Sequence, residues 1–297
     1  MIYHSKKFIG IFLTIALGLS ACASFSSPQP DSTPSATFTP EPPTLTPEPI
    51  ALIVNGEGIT VAEFDGEVAR YTAAQIALGK EVDSASATTV VTDDFIPQLL
   101  LAQAARADGF TIDGAALQAR IDSLAAQIGG AENLSRWQSD HGYDDQTFRS
   151  AFKRAAESAW MRDKIISNVP STAEQVHIQQ ILLYNDDKAR SFLLQLNGET
   201  DFDDLAFDAD PLTRGDLGWV PRGYLLDAKI EEVAFSLQVG EHSDVIATDV
   251  GFHILRVLER DPARPLSPDA LLTLQELALK KWVEEQKLTA VITFVSR

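Results

Sequence analysis

The sequence predicts an α+β fold, in which a helical N-terminal part is followed by a part that mixes strands with short helices, and then by a C-terminal helix. Before residue 172, apolar residues recur with helical spacing. At Val176 the hydrophobic period changes from 3.6 to 2, and short strands then alternate with short helices. An apolar fraction of 45% in 297 residues excludes wholesale disorder and is sufficient for sizeable cores.

The charge and the cysteine content exclude several classes of function. The chain has 24 Lys and Arg against 42 Asp and Glu, a net charge of −18. A phosphate-binding surface needs an excess of basic residues, so no nucleic-acid partner is predicted. A single Cys excludes an internal disulfide framework and a multi-cysteine metal site. We therefore predict neither a metal nor a cofactor.

Residues 1–21 are predicted to be a lipoprotein signal peptide. Lys6 and Lys7 make the start positive, and residues 8–19 form an apolar run that is too short to span a bilayer comfortably. The segment Leu19-Ser20-Ala21-Cys22 resembles the bacterial lipobox, which implies that Cys22 accepts a lipid. The alternative is an ordinary signal peptide that is cleaved near Ala21 or Ala23.

Residues 22–49 are predicted to be a disordered stalk. Eight Pro, five Ser and five Thr occur among residues 23–49. Such a segment cannot bury enough apolar surface to offset the entropy of ordering it, and proline favours extended conformations. The stalk would separate the folded part from the membrane.

Residues 50–172 are predicted to form a helical domain. A short strand at residues 50–54 turns at Asn55-Gly56, and a helix begins at Thr60, which with Glu63 fits a capping box. After a polar break at residues 83–89, further helices are predicted at residues 93–108, 113–128 and 144–167. The apolar residues of this block form a core or line a groove for extended polypeptide, and periodicity does not separate the two.

Residues 173–261 are predicted to form the mixed part. Val176, Ile178, Gln180 and Leu182 would share one face of a strand, and the residues between them the other. Helices follow at residues 186–197 and 202–207, and another ends near Phe235. Strands are predicted at residues 245–248 and 252–258. Together they indicate a compact α+β domain.

Three segments of this block, in order and spacing, resemble the signature segments of parvulin-type (PpiC) peptidyl-prolyl isomerases. They are Gly215-Asp216-Leu217-Gly218-Trp219, Val239-Gly240-Glu241-His242-Ser243 and Gly251-Phe252-His253-Ile254. The block before them is similar to the helical domain of SurA/PrsA-like exported chaperones, in particular at residues 54–60 and 170–176. The resemblance implies a helical chaperone-like domain and a parvulin domain with a small antiparallel sheet.

The resemblance also implies a function and a set of site residues. The function is isomerisation of X–Pro bonds in unfolded or newly exported polypeptides, at the outer face of a membrane to which the lipid attaches the chain. The residues that match the family's active-site and proline-pocket positions are His253, Gln180, Thr248, one of Asp208 and Asp210, one of Leu225 and Leu226, Ile230 and Phe252.

Two departures from the family pattern leave a second function open. Gln180 stands where the family has its first histidine, and the segment 208–214 is shorter than in the chaperone-type members. Glutamine forms hydrogen bonds but cannot take a second proton. Rotation about an amide requires no proton transfer, so activity can survive the change. The alternative is a weak or inactive parvulin fold that only binds unfolded polypeptide. A solute-binding lipoprotein is a more distant alternative.

Residues 262–297 are predicted to contain a C-terminal helix after a proline-rich linker at residues 261–268. Apolar residues recur on a helix at about residues 269–289. An isolated helix with such a face needs a partner. In SurA-like proteins a C-terminal segment packs on the N-terminal domain, and we expect the same here. A dimerising helix is the alternative, and the oligomeric state is left open.

Overall fold

The computed structural model describes residues 48–295 and confirms the α+β fold. Helices dominate up to residue 167, strands and short helices alternate from residue 172 to residue 265, and a long helix follows. The predicted signal peptide, Cys22 and nearly all of the predicted stalk lie outside the described residues. Among the helices of residues 48–295, none combines the length and the apolar character that crossing a membrane requires.

The first part of the chain is a β-hairpin followed by five helices. The Asn55-Gly56 turn joins the two antiparallel strands, of which the second was not predicted. At the start of the first helix, the Thr60 hydroxyl accepts a hydrogen bond from the Glu63 backbone N–H at 3.1 Å. The elements are β1 (Ile50–Val54), β2 (Glu57–Thr60), α1 (Val61–Ala77), α2 (Ser84–Ala107), α3 (Gly114–Gln127), α4 (Ala131–Asp140) and α5 (Asp145–Ser167).

The predicted capping box at Thr60 is only half formed. The Glu63 carboxylate does not return to the helix start; it pairs with the Arg154 guanidinium of α5 at 2.5 Å, and both side chains are buried. Arg106 of α2 forms ion pairs with Glu57 and Glu157. These pairs join the hairpin and α1 to the long helices. They also give the buried charges of Glu63, Arg154 and Glu157 the partners that buried charges require.

The prediction of a polar break at residues 83–89 is wrong. Asp83 caps α2 by accepting a hydrogen bond from the Ser86 backbone N–H at 2.9 Å, so the helix begins at Ser84. Ala87 and Val91 are buried in this added section. Pro97 consequently lies inside α2. Packing of the helix outweighs the low helical propensity of its Ser and Thr residues.

Residues 172–265, which we call the sheet block, form a four-stranded antiparallel sheet in the order β4-β3-β6-β5. Val176 and Ile178 lie in the core on one face, while Ile181 and Leu183 lie in the core on the other, as the alternation predicted. The elements are β3 (Thr172–Leu183), α6 (Asp186–Asn197), α7 (Phe202–Ala209), β4 (Asp216–Pro221), α8 (Ala228–Ser236), β5 (Ile246–Thr248) and β6 (Gly251–Pro265). Helix α8 covers the first face, and α6 and α7 cover the second.

The predicted linker at residues 261–268 is also wrong over most of its length. Strand β6 continues to Pro265, and its end pairs with the start of β3 at Thr172 and Ala173. The Leu266 N–H then donates to the Ser171 carbonyl at 2.9 Å. Prolines are tolerated here because residues at the end of a strand need not donate a backbone hydrogen bond to the sheet.

The chain then returns to its first part through α9 (Pro268–Thr289) and β7 (Ile292–Phe294). Helix α9 lies against α5 and α2, and Trp282 packs on the core of the hairpin. Strand β7, which was not predicted, pairs with β1, so the sheet order is β2-β1-β7. We call β1, β2, α1–α5, α9 and β7 the helical module.

Candidate functional site

His253 lies near the start of β6 and is the centre of the candidate site. The residue is 6% exposed. Its Nε2 atom lies 2.9 Å from Thr248 Oγ1, and its Nδ1 atom lies 3.1 Å from Gln180 Oε1. Because β6 lies between β3 and β5, the two partners come from the strands on either side. The sheet therefore brings together three of the residues that the sequence selected.

The partners determine which ring nitrogen of His253 carries the proton. The Gln180 carbonyl oxygen can only accept, so Nδ1 donates to it. Nε2 of the neutral ring then accepts the hydrogen bond of the Thr248 hydroxyl. That hydroxyl also accepts a hydrogen bond from the Val250 backbone N–H at 3.2 Å, which orients it. Both nitrogens are thus paired, as burial requires.

Burial keeps the His253 ring neutral. Desolvation lowers the pKa of His253, because the charged form loses more hydration than the neutral one. The negative charge of Asp227 opposes this effect and raises the pKa, but the net direction is downward. At neutral pH the site therefore offers a neutral, hydrogen-bonded imidazole, not a cation.

The apolar side of the site comes from the segment between β4 and α8 together with α8 itself. Ile230 is buried in the same core cluster as Leu255, which follows His253 by two residues and so shares its face of β6. Leu225 packs against this cluster, whereas the Leu226 side chain is fully exposed. Leu225 and Ile230, which we call the apolar floor, therefore lie on the same side of the sheet as His253, and the Leu226 side chain is exposed to solvent.

Asp227 was not selected from the sequence. Its carboxylate caps α8 by accepting hydrogen bonds from the Lys229 N–H at 2.8 Å and the Ile230 N–H at 3.3 Å. Its negative charge favours the charged form of His253, against the larger effect of desolvation, which lowers the pKa of that ring. The sequence does contain a signal for the position of Asp227, because an Asp directly before a short amphipathic segment indicates a helix N-cap.

Asp208 and Asp210 are not partners of the His253 ring. Asp208 lies at the end of α7, and the Asp210 carboxylate accepts hydrogen bonds from Thr213 and from the backbone of its own turn. Residues 210–215, which we call the 210–215 loop, close against β3. The Gln180 N–H donates to the Gly215 carbonyl at 2.8 Å. Gly215 has a φ of 68°, and a Cβ there would lie 1.7 Å from the Gln180 carbonyl oxygen.

Phe252 lies on the opposite face of β6 from His253. It packs with the cluster that contains Ile254, two residues further along the strand. On that face it lines an open cavity of about 430 Å³ together with Asp186, Arg190 and Asp244, among others. The expectation that Phe252 borders the site does not fit this placement, because neighbouring residues of a strand point to opposite faces.

The chemistry available at the site is that of hydrogen bonds and apolar contact. Within residues 48–295, no three His, Cys, Asp or Glu side chains are grouped so that they could hold a metal ion. His177, the histidine of β3, is bonded through Nε2 to Asp216 at 2.8 Å and is not a partner of His253. The site offers the hydrogen-bonding network of His253 together with the apolar side chains of Leu225 and Ile230.

Comparisons with known proteins identify the domain that contains this site. Residues 169–271 match the family model of the PPIC-type PPIASE domain, which confirms the parvulin-type domain. The chain is 29% identical over 121 residues to the foldase protein PrsA of Geobacillus sp. (strain WCH70), covering 39% of this chain and 44% of that protein. It is 35% identical over 94 residues to the periplasmic chaperone PpiD of Haemophilus ducreyi, covering 30% of this chain and 15% of that protein.

One solved structure that the chain matches is the peptidylprolyl isomerase PrsA from Bacillus cereus. Its TM-score is 0.43 at 16% identity, and the alignment covers 77% of this chain and 81% of that one. The chain spans less than half the length of the curated relatives it matches.

Proposed function

We propose that this chain, which contains a PPIC-type PPIase domain at residues 169–271, is a peptidyl-prolyl cis-trans isomerase and chaperone for exported proteins. The observation that carries the proposal is the buried His253 ring, held by Gln180 and Thr248 beside an apolar floor inside that domain. The isomerase belongs to the sheet block, and the helical module would hold unfolded polypeptide.

The proposed reaction needs only what this site offers. Rotation about an X–Pro bond meets a barrier of about 18–20 kcal/mol, and no bond to carbon is made or broken. A catalyst must bind the twisted amide more tightly than the planar one. A poorly solvated surface with a few fixed hydrogen-bonding groups does so. A neutral imidazole is suitable because no proton has to be transferred.

We assign the roles of the site residues as follows. His253 and its partners Gln180 and Thr248 form the polar side, which faces the carbonyl groups of the bound peptide. Leu225 and Ile230 form the floor under the proline ring, and the exposed Leu226 covers it from the solvent side. Asp210 and Phe252 are left out of the proposed set, because Asp210 bonds within its own turn and Phe252 packs on the other face of β6. Asp208 is left out because it is not a hydrogen-bond partner of the ring.

An apolar groove in the helical module supports the chaperone role. The groove has a volume of about 550 Å³ and runs along α1 to the start of α2, where Val68, Ala73, Ile76 and Val82 are among its lining residues. The Ile76 side chain is 64% exposed. Open apolar surface of this kind suits the extended apolar segments of an unfolded client. We therefore assign polypeptide holding to this module.

The proposed location is the extracytoplasmic side of the membrane. Residues 1–21 have the pattern of an export signal, and Cys22 is the proposed site of lipid attachment. One similar protein is named a periplasmic chaperone, which supports export. An acidic chain with a net charge of −18 would be repelled by anionic lipid headgroups, so the attachment would depend on the lipid.

A protease-free isomerisation assay with a proline-containing peptide tests the enzyme. We expect the full chain to accelerate isomerisation, and His253→Ala to lower kcat/KM by about tenfold to a hundredfold, because two fixed hydrogen bonds are lost. His141→Ala is the matched control, since His141 is exposed and lies at the end of α4. Rates equal to those in buffer would overturn the proposed isomerase.

The second candidate is a holdase in which the sheet block only grips polypeptide. It is favoured by Gln180, which cannot exchange protons with His253 as a second histidine could. The same preparation distinguishes the two functions when it is also tested for suppression of the aggregation of an unfolded client. Suppression without isomerisation supports the holdase, and loss of both activities contradicts both functions.

A further inference from the structure

The segment that carries the proposed proline contacts also touches the helical module. Residues 222–227, which we call the pocket loop, connect β4 to α8 and include Leu225, Leu226 and Asp227. The Gly223 N–H donates to the Glu231 carboxylate of α8 at 2.7 Å, and Asp227 caps the same helix. The loop is thereby bound to α8 at both ends, while its middle has no strand or helix of its own.

Helix α9 packs on the pocket loop at Gly223. A Cβ at this position would lie 2.8 Å from Leu277 Cδ2 and 3.1 Å from Leu274 Cδ2. Gly223 also has a φ of +85°, which side chains rarely adopt. Two leucines of α9 therefore lie directly on the backbone of the loop, and only glycine leaves room for them.

The same helix is built into the helical module. Gln275 donates to the Ile166 carbonyl of α5 at 3.4 Å, and Trp282 packs on the core of the hairpin. The two leucines that touch the loop lie within one turn of Gln275, on a part of α9 whose position α5 determines. A continuous path of contacts thus runs from α5 through α9 to the pocket loop.

We infer that α9 positions the isomerase pocket: Leu274 and Leu277 hold the pocket loop where Leu225 and Leu226 can contact proline. This inference rests on the proposed isomerase function. Leu277 is 44% exposed and lies outside the core clusters of residues 48–295. Without this contact the loop would spend less time in the binding-competent position, which raises the apparent KM.

The test compares Leu277→Ala with Leu272→Ala in the full chain. Leu272 is a matched control because it lies on the same helix, is 55% exposed and faces another direction five residues earlier. We expect Leu277→Ala to raise KM for a proline-containing peptide by about threefold to tenfold with kcat little changed. We expect Leu272→Ala to leave both unchanged and Leu277→Met, which restores the volume, to recover most of the loss.

Amide hydrogen exchange of residues 222–227 provides a readout that does not depend on catalysis. Leu277→Ala should accelerate exchange in the pocket loop, and Leu272→Ala should not. An unmodified chain without isomerase activity would contradict the proposed function, while the exchange result would still test the contact. If Leu277→Ala matches the unmodified chain in both KM and loop exchange, α9 does not position the pocket.

Discussion

At the scale of single residues, the site depends on an imidazole that is neutral and fully paired. His253 donates a hydrogen bond from Nδ1 to Gln180 and accepts one at Nε2 from the Thr248 hydroxyl. In a neutral imidazole, the donor nitrogen needs an acceptor as its partner and the acceptor nitrogen needs a donor. An amide oxygen can accept the hydrogen bond as well as a second imidazole can. Gln180 therefore preserves the orientation of the ring although it cannot titrate.

The pH dependence of stability should report the neutral ring. The folded pKa of His253 lies below the ordinary value near 6.5, so the unfolded chain takes up a proton first as the pH falls. The stability that His253 contributes is complete above pH 6.5 and is lost between that value and the lower folded pKa. The loss is at most about 1.4 kcal/mol for each pH unit in this window.

Urea unfolding at pH 7.5 and pH 5.5 measures this effect. We expect the unmodified chain to lose more stability between the two pH values than His253→Ala does, with His141→Ala behaving like the unmodified chain. Isomerase kcat/KM should stay constant from pH 7 to higher values, because the ring is already neutral there. An increase of kcat/KM as the pH falls below 6.5 would instead indicate that the charged ring is the active form.

The site residues differ in how far the sequence could locate them. The resemblance to the parvulin-type family selects His253, Thr248 and Gln180, and of these His253 also lies in one of the motif segments that carry the resemblance. Phe252 could have been excluded by alternation alone, since it directly precedes His253 in a strand. Asp210 could not be placed, because the shape of a shortened loop depends on hydrogen bonds among residues that only folding brings together.

At the scale of elements, a buried polar network supports the loop beside the site. Gln179 is 4% exposed, and its amide donates to the Arg214 carbonyl at 2.8 Å and to Asp203 at 3.0 Å. Arg256 donates to both Gln179 and Asp203 at 2.7 Å. The network joins α7, β3 and β6 to the 210–215 loop, and Gln180 continues it to the ring of His253.

Replacing Gln179 with leucine should therefore destabilise the sheet block. Gln179→Leu leaves the Arg214 carbonyl and part of the Arg256 guanidinium without their buried partner, which should lower the free energy of unfolding by about 2–3 kcal/mol. Gln195→Leu is the control, because Gln195 is exposed on α6. Urea titration of both variants makes the comparison, and equal midpoints for the two would show that the network contributes nothing specific.

The elements that the sequence predicted less well depend on tertiary contact. Helix α3 and helix α5 carry strong caps and were predicted nearly to the residue. The first turns of α2 are rich in Ser and Thr, and they are helical because Ala87 and Val91 are buried. Strand β7 has three residues, and its conformation comes from pairing with β1, more than 230 positions away in the chain. No local pattern contains that information.

At the scale of the whole molecule, the sheet block is inserted into the helical module. The chain leaves the module after α5, forms residues 172–265, and returns through α9 and β7. The β2-β1-β7 sheet joins the two ends of the described chain. Closing the module in this way ties α9 to the hairpin, and α9 in turn contacts the inserted block at Gly223 of the pocket loop.

Thr293→Pro tests whether the closing strand stabilises the helical module as a unit. The Val295 N–H donates to the Ala51 carbonyl, and the Asn55 N–H donates to the Val291 carbonyl, so the intervening Thr293 and Ile53 form a hydrogen-bonded pair of the same ladder. Proline at position 293 removes this N–H and should release β7 from β1.

Amide exchange followed by mass spectrometry is the appropriate measurement, with Thr293→Ala as the control that keeps the N–H. We expect Thr293→Pro to lose protection in β1, in β2 and in the C-terminal half of α9, because Trp282 and Ile292 pack on the core of the hairpin. The amides of β3 and β6 should keep their protection, since their ladder contains no residue of the module. Equal loss of protection in both parts would mean that the module and the sheet block unfold together, which contradicts this prediction.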